Sequence, residues 1–300
     1  MPICSAIQKH STRRTPASES GAGCRLRSRR GLPTASEQTK ARRLANGSPA
    51  GSGARLKKIA SLRTSLTLIN DIRHVAADGA LMSNAKEHAR YYAARAPGYD
   101  ASVGYGTVLV EAGLAPLKQH LVNALSGLDV LEIACGTGYW THAISGAARS
   151  LYAVDYDAAS LELARRRLAR EDHVRFQRAD AYRLDEVPAR FEGAFGMFWW
   201  SHMPRARIGS FLDVLHARML PGSPVVFADQ MPYRHTGSRR FDEHGDLIEE
   251  RLLEDGTRFE VVKNFPDEQE VGQLLSGRAR EISYIADPDR RWWLVRYRTA

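Results

Sequence analysis

Cysteine is scarce in this 300-residue chain. The three present, Cys4, Cys24 and Cys135, are an odd number at wide spacing, which suits neither a disulfide framework nor a cysteine metal site. A reducing, cytoplasmic home is expected. Long apolar runs are missing as well: nothing approaches the roughly 18 consecutive residues that a membrane-crossing helix needs, so no span is expected. Acidic residues are short at one end only. Residues 1–81 hold 15 of the 43 Lys and Arg and 4 of the 34 Asp and Glu, a net of +11, whereas residues 82–300 hold 28 and 30, a net of −2. The formal charge of +9 therefore belongs to the first stretch, and the remainder lacks the basic footprint of a nucleic-acid enzyme.

That first stretch is rich in Ser, Gly, Pro and Arg and poor in aromatics, so it has little apolar surface to offset its ordering entropy. A disordered extension over 1–81 is the expectation. The same composition suits an organelle transit peptide or a nucleic-acid-binding arm, and translation from Met82 is a further reading. From Met82 onward the texture changes to that of a folded domain, and a hydrophobic content of 43% is enough to build a core.

The domain opens with Asn84 and Glu87, spaced as in a capping box, and a helix is expected from there to Pro97-Gly98; its Tyr91 and Tyr92 and the following Tyr99 read most simply as packing groups. Short apolar runs then alternate with amphipathic stretches. DVLEIA (129–134), SLYAVD (150–155), HVRFQRAD, GAFGMFWW (193–200) and PVVFAD (224–229) read as strands. Between them, GYWTHAISGAA, DAASLELARRRLARED and RARIGSFLDVLHARML, the last ending at Pro221-Gly222, read as helices. This rhythm implies a parallel sheet with helices on both faces, whose ligands lie at the carboxyl ends of the strands. After Asp229 an inserted segment, 231–264, carries Asp255-Gly256, a hairpin signal; it reads equally as a substrate cover or a decorated connection. A helix over 267–276 and an antiparallel hairpin around Pro288 complete the chain.

The stretch VLEIACGTGYWTHA (130–143) falls between the first strand and the first of these helices. Gly136 and Gly138 leave backbone amides at a helix N-terminus unobstructed by side chains. Two familiar occupants fit poorly. The dinucleotide fingerprint G-x-G-x-x-G finds Thr141 where its third glycine belongs, and no lysine follows to make a phosphate loop.

What the stretch resembles is the first motif of the class I S-adenosylmethionine-dependent methyltransferases: an acidic residue, small residues, then G-x-G, here Glu132-Ile133-Ala134-Cys135-Gly136-Thr137-Gly138. Asp155, ending LYAVD, resembles the family's ribose-binding acid, and Asp180-Ala181 in RADA its adenine-facing position. LHARMLPGSPVVFAD is similar to a later family motif, with Ser223 replacing a glycine, and YYAARAPGYD to the N-terminal signature of several small-molecule members, in which the tyrosine corresponding to Tyr99 lies near the cofactor. The resemblance spans residues 84–300. It implies a Rossmann-like, doubly wound, seven-stranded, mostly parallel sheet with a C-terminal antiparallel hairpin, S-adenosylmethionine as cofactor, a small-molecule methyl acceptor as partner and no requirement for a metal.

The chemistry matches those residue types. A carboxylate such as Asp155 accepts from both ribose hydroxyls, each charge-assisted bond contributing about 1.5–3 kcal/mol, while Asp157 reads as the cap of the following helix. A sulfonium cation favours aromatic faces by about 0.5–2 kcal/mol, for which Tyr99, Trp140 and Trp199 are candidates beside their reading as core. Catalysis in the family is chiefly direct displacement under proximity and orientation. If the acceptor must lose a proton, His202 in FWWSHMPR is the candidate base, beside its reading as a loop-satisfied histidine. His142 reads as structural, and Cys135 holds a position where small residues are usual. Two alternatives stay open: an NAD-dependent oxidoreductase, since Asp155 lies 19 residues beyond Gly136, against which Thr141 argues, and a non-catalytic cofactor- or partner-binding member.

Overall fold

The computed structural model describes residues 87–188 and 190–300; the basic stretch 1–81, the alternative start at Met82 and the Asn84 cap lie outside the described residues. The chain enters through helix α1 (87–95), a 3-10 turn over Ala96–Gly98 and a short helix α2, Tyr99–Val103. Pro97 and Gly98 thus tighten the expected helix without ending the helical path. Next comes an 18-residue helix, α3 (Val108–Leu125), for which the sequence rhythm above provides no element; it runs through Pro116.

The expected alternation follows. β1 (Asp129–Ile133), α4 (Tyr139–Ser145), β2 (Ser150–Asp155), α5 (Ala158–Arg167), β3 (Val174–Arg178), β4 (Gly193–Met197), α6 (Arg205–His216) and β5 (Pro224–Gln230) succeed one another. The Asp157 side chain accepts from Ser160 N–H at 2.7 Å and caps α5. Two elements stop short of their expected ends. β4 stops at Met197 because Phe198 turns the chain with a φ of +57°. α6 stops at His216, where Ala217 N–H closes the last turn on the Asp213 carbonyl at 3.1 Å.

The inserted segment forms its own antiparallel sheet, β6 (Arg239–Phe241), β7 (Leu247–Leu252) and β8 (Arg258–Val262), in that order. Asp255-Gly256 turns β7 into β8 as expected, and β6 is an additional strand. Helix α7 (Glu268–Leu275), capped by Asp267, leads to the hairpin β9 (Ala279–Ala286) and β10 (Trp292–Thr299).

The main sheet has seven strands in the order β3-β2-β1-β4-β5-β10-β9. β1 to β5 run parallel and β10 is antiparallel to both β5 and β9. Strand alternation divides the core between the faces. Leu131, Phe227 and Trp293 pack with Phe211 and Leu212 of α6, whereas Val130, Val226 and Trp292 pack with Leu121 and Leu125 of α3. The chain leaves β1 for β2 and β3 on one side and then crosses back to β4 on the other, so the glycine turn after β1 stands at the switch point where open α/β sheets hold their ligands.

Candidate active site

The turn between β1 and α4 owes its shape to three left-handed residues, Ala134, Gly136 and Gly138, at φ of +55°, +55° and +77°. The two glycines meet different surroundings. A Cβ added to Gly136 would find nothing within 4 Å, whereas one on Gly138 would lie 2.9 Å from Ala164 Cβ and 3.0 Å from its Cα. Gly136 therefore leaves open space above the loop, and Gly138 lets α5 pack beneath it.

Asp155, ending the neighbouring β2, reaches into this turn. One carboxylate oxygen accepts from Gly136 N–H and the other from Asp157 N–H, both at 2.8 Å. Burial pushes its pKa up to about 6, with the amide bonds opposing that rise. Each oxygen retains a further lone pair for a hydroxyl. Glu132 lies deeper, 2% exposed, accepting from the Thr141 hydroxyl at 2.6 Å. Desolvation raises its pKa to about 8. Thr141, which occupies the missing third-glycine position, thus has its own task of holding Glu132.

The loop is fastened to the N-terminal segment. The Thr137 hydroxyl donates to Asp100 at 2.6 Å, and Arg167 of α5 donates to the Thr137 carbonyl at 2.8 Å and pairs with Asp100. Tyr105 stacks on Tyr139, the rings 3.6 Å apart and 3° from parallel. These contacts set Tyr99 beside a cavity at the carboxyl ends of β4 and β5, lined also by Tyr92, Phe198, His202 and Gln230. The Arg95 guanidinium lies 4.9 Å from the Tyr99 ring centre.

His202 faces this cavity on a 3-10 turn, Trp200–His202. Its Nε2 lies 2.8 Å from the Tyr92 hydroxyl and its Nδ1 2.8 Å from the Val262 carbonyl. A carbonyl only accepts, so Nδ1 carries the proton and Nε2 receives the Tyr92 O–H bond. Desolvation, then the charge of Lys263, holds the His202 pKa well below its ordinary value. His88, its ring centre 4.8 Å from that of His202, is lowered to about 4 for the same reasons.

The remaining expected site residues divide. Asp180 and Ala181 stay together after β3, where the Asp180 carboxylate accepts from Tyr182 N–H at 2.9 Å. Trp199 packs on Phe211 (5.1 Å) and Tyr182 (6.1 Å) and is not among the residues lining the cavity; its neighbour Phe198 is. The left-handed turn at Phe198 is the physical reason for that exchange. Trp140 is buried, 5.8 Å from Phe198, as core. His142 is exposed on α4. Burial raises the Cys135 thiol well above its ordinary pKa, leaving it inert as a nucleophile.

Tyr92, Arg251 and Lys263 also line the cavity, with Asp229 behind Lys263; Arg251 and Lys263 have no sequence signal, and Tyr92 and Asp229 lie inside YYAARAPGYD and LHARMLPGSPVVFAD without being marked out by them. Asp229, fully buried near the end of β5, accepts from Ser201 N–H (2.8 Å) and from Lys263 Nζ (3.3 Å), and Lys263 also donates to Ser201 Oγ (2.6 Å). Lys263 follows β8, so this buried pair ties the small sheet to the main one.

Known proteins agree with this architecture. Residues 130–222 match the family model described as a methyltransferase domain. The chain is 32% identical over 108 residues to a demethylmenaquinone methyltransferase of Clavibacter sepedonicus, covering 36% of this chain and 43% of that one. It spans about two fifths of the length of the curated relatives it matches. Among solved structures, a DhpI-SAM-HEP complex is similar over 72% of this chain and 98% of its own, at 28% identity and a TM-score of 0.58. The PH0226 protein of Pyrococcus horikoshii OT3 shares the fold at 14% identity and a TM-score of 0.53. Over residues 130–222 the chain thus carries a methyltransferase domain, and its fold is similar to that of the DhpI complexes with SAH and SAM.

Proposed function

We propose that this protein transfers a methyl group from S-adenosylmethionine to a small-molecule acceptor held in the cavity beside Tyr92 and His202. The observation that carries this reading is the junction at the carboxyl ends of the strands. An open glycine turn braced by Asp155 is fastened through Asp100 and Tyr105 to a cavity that presents a neutral histidine.

Gly136 and Asp155 would hold the cofactor through its methionine and ribose ends, and the Tyr99 ring would face its cation. Once bound, S-adenosylmethionine supplies an electrophilic methyl, the acceptor's lone pair forming the new bond while the carbon–sulfur pair leaves with sulfur. His202, with Nε2 unprotonated, receives the acceptor's proton through the Tyr92 hydroxyl. The sheet β6–β8 contributes Arg251 to the cavity wall and, through Lys263 just beyond it, acts as a cover over the acceptor.

Calorimetric titration of the purified protein with S-adenosylmethionine, S-adenosylhomocysteine and NAD tests the reading. Binding of the first two is expected. NAD binding without response to either would replace it with an oxidoreductase.

A further inference from the structure

The cavity wall carries charge of one sign. Arg95 from α1, Arg251 from β7 and Lys263 all line it, and none of its lining residues is a carboxylate. The acids that balance these cations lie behind them. Glu249, fully buried, pairs with Arg239 and Arg251, and Asp229 pairs with Lys263. Three cations thus share two carboxylates, and Arg95 adds a further positive charge to the wall.

Each lining cation also has bonding capacity to spare. The Arg251 guanidinium donates through Nη2 to Glu249 and to the Tyr233 hydroxyl, but its Nε is buried without a partner. A buried donor left unpaired is costly unless a ligand answers it. Lys263 uses two of its three N–H bonds, on Ser201 and Asp229. Arg95 donates to the Ser102 hydroxyl at 2.7 Å and has no ion-pair partner among the described residues.

We infer that the methyl acceptor is a small oxyanion, bearing a carboxylate or a phosphoryl group that Arg95, Arg251 and Lys263 anchor while a separate hydroxyl meets Tyr92. This rests on the methyl-transfer reading and names the class of molecule it acts on. An ammonium group would meet like charge from Arg95, Arg251 and Lys263, and an uncharged acceptor would leave that charge unanswered in the cavity. In the transfer, the hydroxyl oxygen bonds to the methyl carbon, the carbon–sulfur pair stays on sulfur to give the neutral thioether, and the hydroxyl proton passes by way of Tyr92 to Nε2 of His202.

The anion also resolves a tension in the site. Burial first, and then the surrounding cations, disfavour a proton on His202; an entering anion offsets the second of these, so the base gains strength in the complex that needs it.

The test uses the full chain loaded with S-adenosylhomocysteine and two probes, inorganic phosphate and acetate, titrated by calorimetry into the wild type, Arg251→Gln and Arg95→Gln. At least one probe is expected to bind the wild type and to bind each variant tenfold or more weakly, with S-adenosylhomocysteine affinity unchanged. Phosphate alone identifies a phosphoryl acceptor and acetate alone a carboxylate. Arg95 lies outside the buried pairs, so its variant keeps the test decisive if Arg251→Gln fails to fold. Neither probe binding, or equal affinity in wild type and Arg95→Gln, overturns the inference while leaving methyl transfer standing. Failure to bind S-adenosylhomocysteine at all overturns both.

Discussion

The Tyr92 hydroxyl and Nε2 of His202 are hydrogen-bonded at 2.8 Å although 110 positions separate them in the chain. The Val262 carbonyl on the far side of the ring fixes which nitrogen is free. The first element of the domain and the inserted sheet thus converge on one imidazole.

Tyr92→Phe removes the hydroxyl while keeping the ring contacts with Tyr91 and Tyr99. A fall in turnover of about 10²-fold is expected, the usual contribution of a positioned acid–base group, with S-adenosylhomocysteine affinity unchanged. Steady-state kinetics beside calorimetry checks the split, and turnover within twofold of wild type would remove Tyr92 from the proton path.

The pH profile follows from the sign of the His202 shift. Its pKa lies well below 6.5 because burial and nearby cations disfavour the protonated form, so the free enzyme keeps an unprotonated base as pH falls through 6.5. Hence His202 is expected to add no acid limb to kcat/KM between pH 8 and 6, and the limb near pH 6 is that of Asp155, whose carboxyl burial raises to about 6. An acid limb near pH 6.5 in kcat, measured with saturating S-adenosylmethionine, would indicate an exposed histidine.

The two glycines of the turn are expected to respond differently to alanine. At Gly138 the new methyl would strike the Ala164 backbone with φ at +77°, two sources of strain that together cost about 2–4 kcal/mol, visible as a lowered Tm. At Gly136 the backbone strain remains but nothing crowds the methyl. That variant is expected to lose about 1 kcal/mol of stability and at least tenfold in cofactor affinity, because the methyl fills space above the loop.

Much of this was legible in the sequence because it depends on local spacing. Apolar runs between turn residues place β1, β2 and β5 to within a residue or two of their observed ends, and spacing marks the turn that Gly136, Gly138 and Asp155 build. What was not legible depends on long-range packing. Nothing near Lys263 announces Asp229, 34 positions away, and Tyr92 looks like a packing residue until the fold brings His202 to it. Trp199 is the ring expected at the site and Phe198 the one that lines this cavity, because the left-handed residue at 198, which spacing does not reveal, sets the direction of both.

Asp155→Ala is expected to weaken S-adenosylhomocysteine binding at least tenfold, since it removes both the hydroxyl acceptor and the brace on Gly136. Asp155→Asn separates these effects. Its single carbonyl can answer only one of the two amides at Gly136 and Asp157, so intermediate affinity is expected. Affinity equal to wild type in the alanine variant would strip Asp155 of its assigned role.

Glu132 gives the domain a pH-dependent weakness. Its folded pKa is raised to about 8 against an ordinary 4.5, so between these values the folded state holds a proton that the unfolded state has released. Stability from this group is therefore complete below pH 4.5 and lost as pH rises through 8, by an upper limit of about 5 kcal/mol. Glu132→Gln retains an oxygen to accept from Thr141 and has no proton to lose. The variant is expected to match the wild type near pH 5 and to exceed it increasingly from pH 6 to 9 in urea unfolding of the cofactor-free protein. Parallel stability curves for the two would mean that the buried carboxyl is already ionised in the folded state.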